Sequence, residues 1–220
     1  MRRAEFLFYL ITDRNAVRAG TLVDTCAAAL SVAPRGAVAL QVREKDLSAR
    51  ELYRLALELR EVCSRYGAPM IVNDRVDIAL AVRADGVHLP FDSIGVAMAR
   101  QLVGPDLLIG ASSHSPPDVA SAAREGADFV VFGPVFDPIS KGADRPAWGR
   151  EGLAAACGAG AVPVYALGGI TASRARDLIS ASEPDARPAG VAGIGSILSA
   201  ASPAEAMRAM LAALTSSTAA

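Results

Sequence analysis

Short apolar runs rich in Val, Ile, Leu or Phe recur along the chain at 6–12, 37–42, 69–72, 86–89, 107–112, 129–132, 163–167 and 189–193. Longer stretches of helical period separate them. The clearest spans 48–66, where Leu52, Leu55, Ala56, Leu59, Val62 and Cys63 form one apolar stripe. Ser48 with Glu51 three residues on reads as the capping box of that helix, and Ser202-Pro203 with Glu205 opens the last helix in a similar way. Several of the apolar runs lack strict alternation of apolar and polar positions, as strands covered on both faces should. Strand–helix alternation implies parallel pairing through crossovers. About eight such units in 220 residues predict one α/β domain, a single (β/α)8 TIM barrel over 1–214, with a frayed tail at 215–220. A doubly wound sheet is the competing architecture, but its GxGxxG fingerprint after the first strand is absent.

Composition narrows the partners. The chain is 52% hydrophobic and 20% charged, enough for a sizeable core. Twenty-two Lys and Arg against 23 Asp and Glu leave a net charge of −1, so no global field attracts nucleic acid or an anionic membrane. Cys26, Cys63 and Cys157 are odd in number, far apart and without a CxxC pair. They read as small buried hydrophobes in a reducing, cytoplasmic setting. The basic start at Arg2-Arg3 and the apolar run after it mimic a signal peptide, but Glu5 interrupts and no cleavage site follows. The expected partners are small phosphate and diphosphate substrates, with neither nucleic acid nor membrane. Assembly into a homo-oligomer is left open.

The polar residues gather where a barrel keeps its chemistry. The carboxyl ends of the predicted strands carry Thr12-Asp13, Arg43-Glu44-Lys45, Asn73-Asp74, His88, Ser112 with His114, Gly168-Gly169 and Gly193-Ile194-Gly195-Ser196. The interiors of the same strands are almost wholly apolar. Two glycine pairs, after the seventh and eighth strands, allow close backbone approach to a phosphate; on their own they could equally make tight turns. A second anion site is predicted at Gln41, Arg43 and Lys45, which alternation sends to one side, with Asn73-Asp74 beside them. Arg and Lys there clamp a diphosphate while Asp74 holds a magnesium ion across its oxygens. The competing reading is a surface ion-pair cluster with Glu44, Asp46 and Arg75. Residues 133–149 are too long and too rich in Gly and Pro for an ordinary connection, which predicts a lid carrying Lys141, with Trp148 as its packing anchor. His88 and His114 serve either as scaffold or in direct chemistry.

Taken together, these motifs resemble the thiamine phosphate synthase family, which includes the TenI-type thiazole tautomerases. The resemblance rests on Tyr9-Leu10-Ile11-Thr12-Asp13, Gln41-Val42-Arg43-Glu44-Lys45, the Ile71 to Asp77 stretch with Asn73-Asp74, Asp85-Gly86-Val87-His88-Leu89, Gly133-Pro134-Val135-Phe136 and Leu167-Gly168-Gly169-Ile170. It implies a Mg2+-dependent transferase coupling hydroxymethylpyrimidine diphosphate to thiazole phosphate with release of pyrophosphate. By position, Gln41, Arg43, Lys45 and Asn73 would take the diphosphate, Asp74 the magnesium, and Ser112 the pyrimidine. Lys141 and Ser140 would act from the lid, and Gly168, Gly169, Ile194 and Gly195 would cradle the thiazole phosphate. His88 and His114 line the substrate site on this reading. The chain departs from the family pattern at three places. Pro90-Phe91-Asp92-Ser93 replaces Gly-Gln-Glu-Asp, so Ser93 falls where the second metal-binding Asp is usual and Asp92 stands one position early. Pro138-Ile139-Ser140-Lys141 replaces Thr-x-Thr-Lys, and Gly195 replaces a common serine. The first change also resembles TenI-type members, yet Pro134 stands where they often carry His. Two alternatives therefore accompany the synthase expectation: a metal-free tautomerase with His88 or His114 as base, and a non-catalytic binder of thiamine-related phosphates.

Overall fold

The computed structural model describes residues 4–137, 146–181, 183 and 186–215. Eight parallel strands close on themselves in chain order: β1 (Phe8–Ile11), β2 (Val38–Val42), β3 (Met70–Asn73), β4 (Gly86–Leu89), β5 (Leu108–Ser113), β6 (Phe129–Phe132), β7 (Val164–Ala166) and β8 (Gly190–Gly193). β8 pairs back onto β1 through Phe8 and Val191, so the sheet has no edge. The helices are α1 (Leu22–Leu30), α2 (Ala49–Tyr66), α3 (Val76–Ala81), α4 (Val96–Val103), α5 (Pro116–Glu125), α6 (Gly149–Gly158), α7 (Ala172–Ala181), α8 (Gly195–Leu198) and α9 (Pro203–Thr215). The expected (β/α)8 barrel is the observed fold. α9 runs through Thr215, one residue into the stretch expected to be tail.

Alternation along the strands builds two apolar layers. Inward-facing Tyr9, Ile11, Ile71, Phe129, Val131 and Tyr165 fill the barrel with Phe6. Phe6 stacks on Tyr165 with centroids 4.4 Å apart, and Phe129 meets Tyr9 edge-on at 5.4 Å. Outward-facing Leu10, Leu40, Val72 and Phe132 pack beneath the helices against Leu30, Leu59, Leu153 and Leu178. The stripe predicted on α2 is the buried one, and both halves of its capping box are formed by Ser48 and Glu51. Cys26 and Cys63 are buried as expected, while Cys157 is only half-buried.

At the amino ends of the strands two carboxylates clasp neighbouring elements. Asp85 Oδ2 accepts from the Met70 amide at 2.9 Å and from Arg60 of α2 at 2.6 Å. Asp128 Oδ2 accepts from the Ile109 amide at 2.7 Å and from Arg100 of α4 at 2.5 Å. In each case one helix, one strand start and one loop are tied at a single atom. This closed face leaves the carboxyl ends as the open mouth.

Candidate active site

The inner residues nearest the mouth divide it in two. On β2 to β5 they are Gln41, Asn73, His88 and Ser112; on β6 to β8 and the loops beyond they are Val131, Leu167 and Ile194. A polar arc therefore faces an apolar one across the barrel. Gln41 is buried and its Nε2 donates to the equally buried Tyr9 hydroxyl at 3.0 Å. His88 is buried between Tyr9 and Phe129, and its Nε2 lies 3.0 Å from Ser112 Oγ. Gly110 makes this possible, because a Cβ there would come within 2.3 Å of the Phe129 ring and 2.8 Å of His88 Nδ1. Burial, reinforced by the charge of Arg43, pushes the His88 pKa down to about 3, so the ring is neutral at ordinary pH.

Arg43 and Lys45 follow β2. Arg43 is half-buried beside the His88 layer, its amide donating to Thr12 Oγ1 at 2.8 Å, and Lys45 is exposed. β2 ends at Val42, so alternation does not extend to Lys45. The ion-pair cluster that would have neutralised these cations forms elsewhere. Arg14 takes both Asp46 and the buried Glu44, and Arg75 pairs with Asp77 at 2.6 Å. Among the described residues no carboxylate pairs with Arg43 or Lys45.

Asp74 is held in a strained turn. The Arg75 amide donates to Asn73 O at 2.7 Å, closing a three-residue turn whose central residue has φ +64°. A turn of this hand is rare and costly for a non-glycine residue. The Asp74 amide donates to His88 O at 2.8 Å, and its Oδ1 accepts from Ser93 Oγ at 2.5 Å. The strain thus aims the carboxylate at the loop after β4. Asp74, Asp92 and Ser93 line one cavity of about 620 Å3 that opens outward between Leu80 of α3 and Leu102 of α4.

In the ring of eight strands β3 stands opposite β7, and β4 opposite β8. Asp74 and Ser93 are therefore across the mouth from Gly168-Gly169 and Ile194-Gly195, on the same rim. Gly168 has φ +107°, and a Cβ there would fall 2.7 Å from Pro134 Cα; Gly169 has φ +59° and approaches Asp137 O. Packing against the loop after β6 accounts for both glycines. The amides of Gly195 and Ser196 open α8 and precede any intrahelical acceptor. Ser196 Oγ is buried there without a partner among the described residues.

The remaining candidates are less central. His114 Nδ1 lies 3.1 Å from Gly133 O and its ring packs on Phe91, beside the arc rather than within it. Ser140 and Lys141 lie outside the described residues. Trp148 closes the loop as expected: its amide donates to Pro134 O at 2.9 Å and its ring packs on Phe132.

A family model described as thiamine monophosphate synthase matches residues 8–203. A thiamine-phosphate synthase of Caldanaerobacter subterraneus subsp. tengcongensis is 39% identical over 186 residues, covering 84% of this chain and 85% of that protein. One from Chlorobium luteolum is 45% identical over 163 residues, covering 72% and 77%. Among solved structures, a thiamine phosphate pyrophosphorylase from Pyrococcus furiosus superposes with TM-score 0.85 at 31% identity, covering 98% of each chain. The chain belongs to the thiamine monophosphate synthase family.

For a member of the thiamine monophosphate synthase family, the oxygen-only set of Asp74, Asp92 and Ser93 is the right chemistry for magnesium. That ion keeps several waters and takes one or two carboxylates together with substrate phosphates. Among the described residues no group of three or more His, Cys, Asp or Glu side chains could hold a metal by itself. Sequence reasoning missed two supports of this family site. Tyr9 backs Gln41, and the buried Glu44, fixed by the Arg14 amide at 3.1 Å and its guanidinium at 3.2 Å, backs the Arg43–Lys45 segment. Tyr9 could have been found from its inward register two residues before Ile11. Arg14 and Glu44 stand 30 residues apart and carry no local signal. No helix among the described residues is long and apolar enough to cross a membrane.

Proposed function

We propose that this chain is a Mg2+-dependent thiamine-phosphate synthase joining hydroxymethylpyrimidine diphosphate to thiazole phosphate and releasing pyrophosphate. The observation that carries the reading is the strained Asp74, bonded to Ser93 at the end of β3, next to the strand that leads into two cations that no carboxylate neutralises among the described residues. Uncompensated cations next to oxygen ligands suit a substrate bearing its own concentrated negative charge.

On this reading the flat pyrimidine lies on the polar arc, its heteroatoms toward Ser112 and toward Gln41, which was expected on the diphosphate but is buried against Tyr9, and its face against Ile194 and Leu167. Asn73, Arg43 and Lys45 bind the diphosphate, while Asp74 and Asp92 would hold the magnesium. The ion, when bound, supplies Lewis-acid stabilisation of charge gathering on the leaving oxygen. Arg43 and Lys45 stabilise the same charge, already in place before the C–O bond breaks. The thiazole phosphate takes the opposite rim, its phosphate toward the Gly168-Gly169 and Ile194-Gly195 backbone. This directs the thiazole nitrogen at the pyrimidine methylene carbon, and no protein nucleophile is needed. Lys141, with Ser140, completes the pyrophosphate site from the loop after β6, where excluding water protects a cationic pyrimidine from hydrolysis.

The metal-free isomerase reading needs a basic histidine. His88 is buried, depressed in pKa and already bonded to Ser112, which makes it a poor base, and His114 stands beside the arc with its Nδ1 3.1 Å from Gly133 O. The deciding experiment supplies the purified chain with both substrates and excess Mg2+. Thiamine phosphate and pyrophosphate should appear in equal amounts, and EDTA should stop both. Absence of product rejects the reading, and calorimetric binding of both substrates without turnover would assign the chain as a binder instead.

A further inference from the structure

Ser112 is the only member of the polar arc whose hydroxyl is gripped from beneath by a buried ring. His88 Nε2 lies 3.0 Å from Ser112 Oγ, whereas His88 Nδ1 is buried without any hydrogen-bond partner among the described residues. Tyr9 and Phe129 pack on the ring, and Gly110 lies on its Nδ1 side. These facts decide where the proton resides. A proton on Nδ1 alone would leave a buried N–H donor unpaired, at the full cost of its desolvation. A proton on Nε2 is spent on Ser112 Oγ and leaves only a lone pair at Nδ1, the less costly orphan. Were the ring ever cationic, Nε2 would still donate. Every acceptable state therefore makes His88 the donor and Ser112 Oγ the acceptor.

We infer that His88 is a positioning residue that commits the Ser112 hydroxyl to donate into the mouth, so that the enzyme selects a heterocycle presenting an unprotonated ring nitrogen at that point. The step is one of hydrogen-bond inventory. A serine hydroxyl has one proton, and with His88 occupying the acceptor side that proton turns toward the open side of the half-buried Ser112. An N–H or C–H at the same place on a ligand then meets the wrong partner or none. Without His88 the hydroxyl rotates freely, and it serves donors and acceptors alike. The inference rests on the synthase reading for the identity of the heterocycle, but the tautomer itself does not.

Two measurements keep the readings apart. The chain holds only two histidines, His88 and His114, so 15N-labelled histidine gives a simple long-range nitrogen–proton spectrum, assigned by comparison with His114→Gln. His88 should show the Nε2–H tautomer at neutral pH with no substrate present, and an Nδ1–H signal overturns the inference whatever reaction the chain performs. Next, kcat and KM are measured for the natural pyrimidine diphosphate and for two analogues, each with one ring nitrogen replaced by C–H. Wild-type enzyme should lose about tenfold in kcat/KM on one analogue, the scale of one unsatisfied hydrogen bond. Ser112→Ala should abolish that discrimination, His88→Leu should reduce it, and His88→Gln, whose amide nitrogen can reach the same oxygen, should restore it. The His88→Leu/Ser112→Ala double variant should discriminate no more than Ser112→Ala alone, and KM for the thiazole phosphate should not move. Equal use of both analogues by wild-type enzyme, or undiminished discrimination in His88→Leu, overturns the proposal. Failure of wild-type enzyme to turn over the natural pair would instead overturn the synthase reading, with the tautomer result standing by itself.

Discussion

Asp74 is where stability and function pull in opposite directions. Its φ of +64° lies in a region that side chains other than Gly enter at a cost of order 1–3 kcal/mol, Asn and Asp more readily than the rest. Asn tolerates that backbone equally well and can still accept from Ser93 Oγ, but it lacks the charge that a divalent cation requires. Asp74→Asn should therefore lower kcat by about a hundredfold or more, while the midpoint of thermal unfolding stays within about 2 °C of wild type. Loss of both together would make Asp74 a structural residue and remove the metal role. His88 gives a second prediction at this scale. Burial, then the charge of Arg43, lowers its pKa from 6.5 to about 3, so between those values the unfolded chain binds the additional proton. The contribution of neutral His88 to stability is complete above pH 6.5 and fades as pH falls toward 3. Over that window wild type should lose thermal stability more steeply than His88→Gln, and parallel curves would refute the burial argument. The positions of Asp74 and His88 at strand ends were legible in the sequence. The strained turn and the Ser93 contact were not, because both depend on a loop that arrives 19 residues later.

Strands and helices were legible wherever one face alone decides the pattern. β4 and β6 have the expected bounds, since Gly and Asp mark their starts, whereas the runs around β1 and β7 are longer than the paired strands. Apolar residues simply continue past the last ladder hydrogen bond there, to cap the barrel with Phe6 at one end and Leu167 at the other. α2 was the easiest helix to read because its signals agree: Ser48 and Glu51 close the capping box, the stripe is buried, and Gly67 ends the helix at φ +68°. Ser48→Ala should cost about 1 kcal/mol, or roughly 2–4 °C of thermal midpoint for a chain of this size. Ser48 caps α2 on the mouth side, three residues past Lys45, so KM for the diphosphate substrate is measured alongside and should stay close to wild type. An unaltered midpoint in a temperature scan would mean that the box is not populated. α8, four residues long, has no such internal evidence and is set by where Ile194 leaves β8.

A barrel of this kind separates what holds it together from what it does, and the Arg–Asp clasps lie wholly on the holding side. Asp128 joins the start of β5 to Arg100 of α4 with its side chain only 9% exposed, whereas Asp85 makes the equivalent clasp at 21% exposure. Removing a carboxylate from such a clasp strands a strand amide as well as an arginine. The cost is roughly 1–3 kcal/mol for the amide and rises as water is excluded. Asp128→Ala should therefore lower the thermal midpoint by several degrees and by more than Asp85→Ala does, in the order of burial rather than of hydrogen-bond length. Because both clasps lie at the far end of the barrel from Arg43, Asp74 and Gly168, kcat and KM measured well below the midpoint should stay within about twofold of wild type in either variant. The pairing of scanning calorimetry with steady-state kinetics on the same preparations checks both halves. A tenfold rise in either KM would mean that the amino-terminal face communicates with the mouth through the interior layer of Tyr9, Phe129 and Tyr165. That layer is continuous from the Phe6 carbonyl, which accepts from the Tyr165 hydroxyl at 2.9 Å, up to His88, so it offers a contiguous path for such coupling.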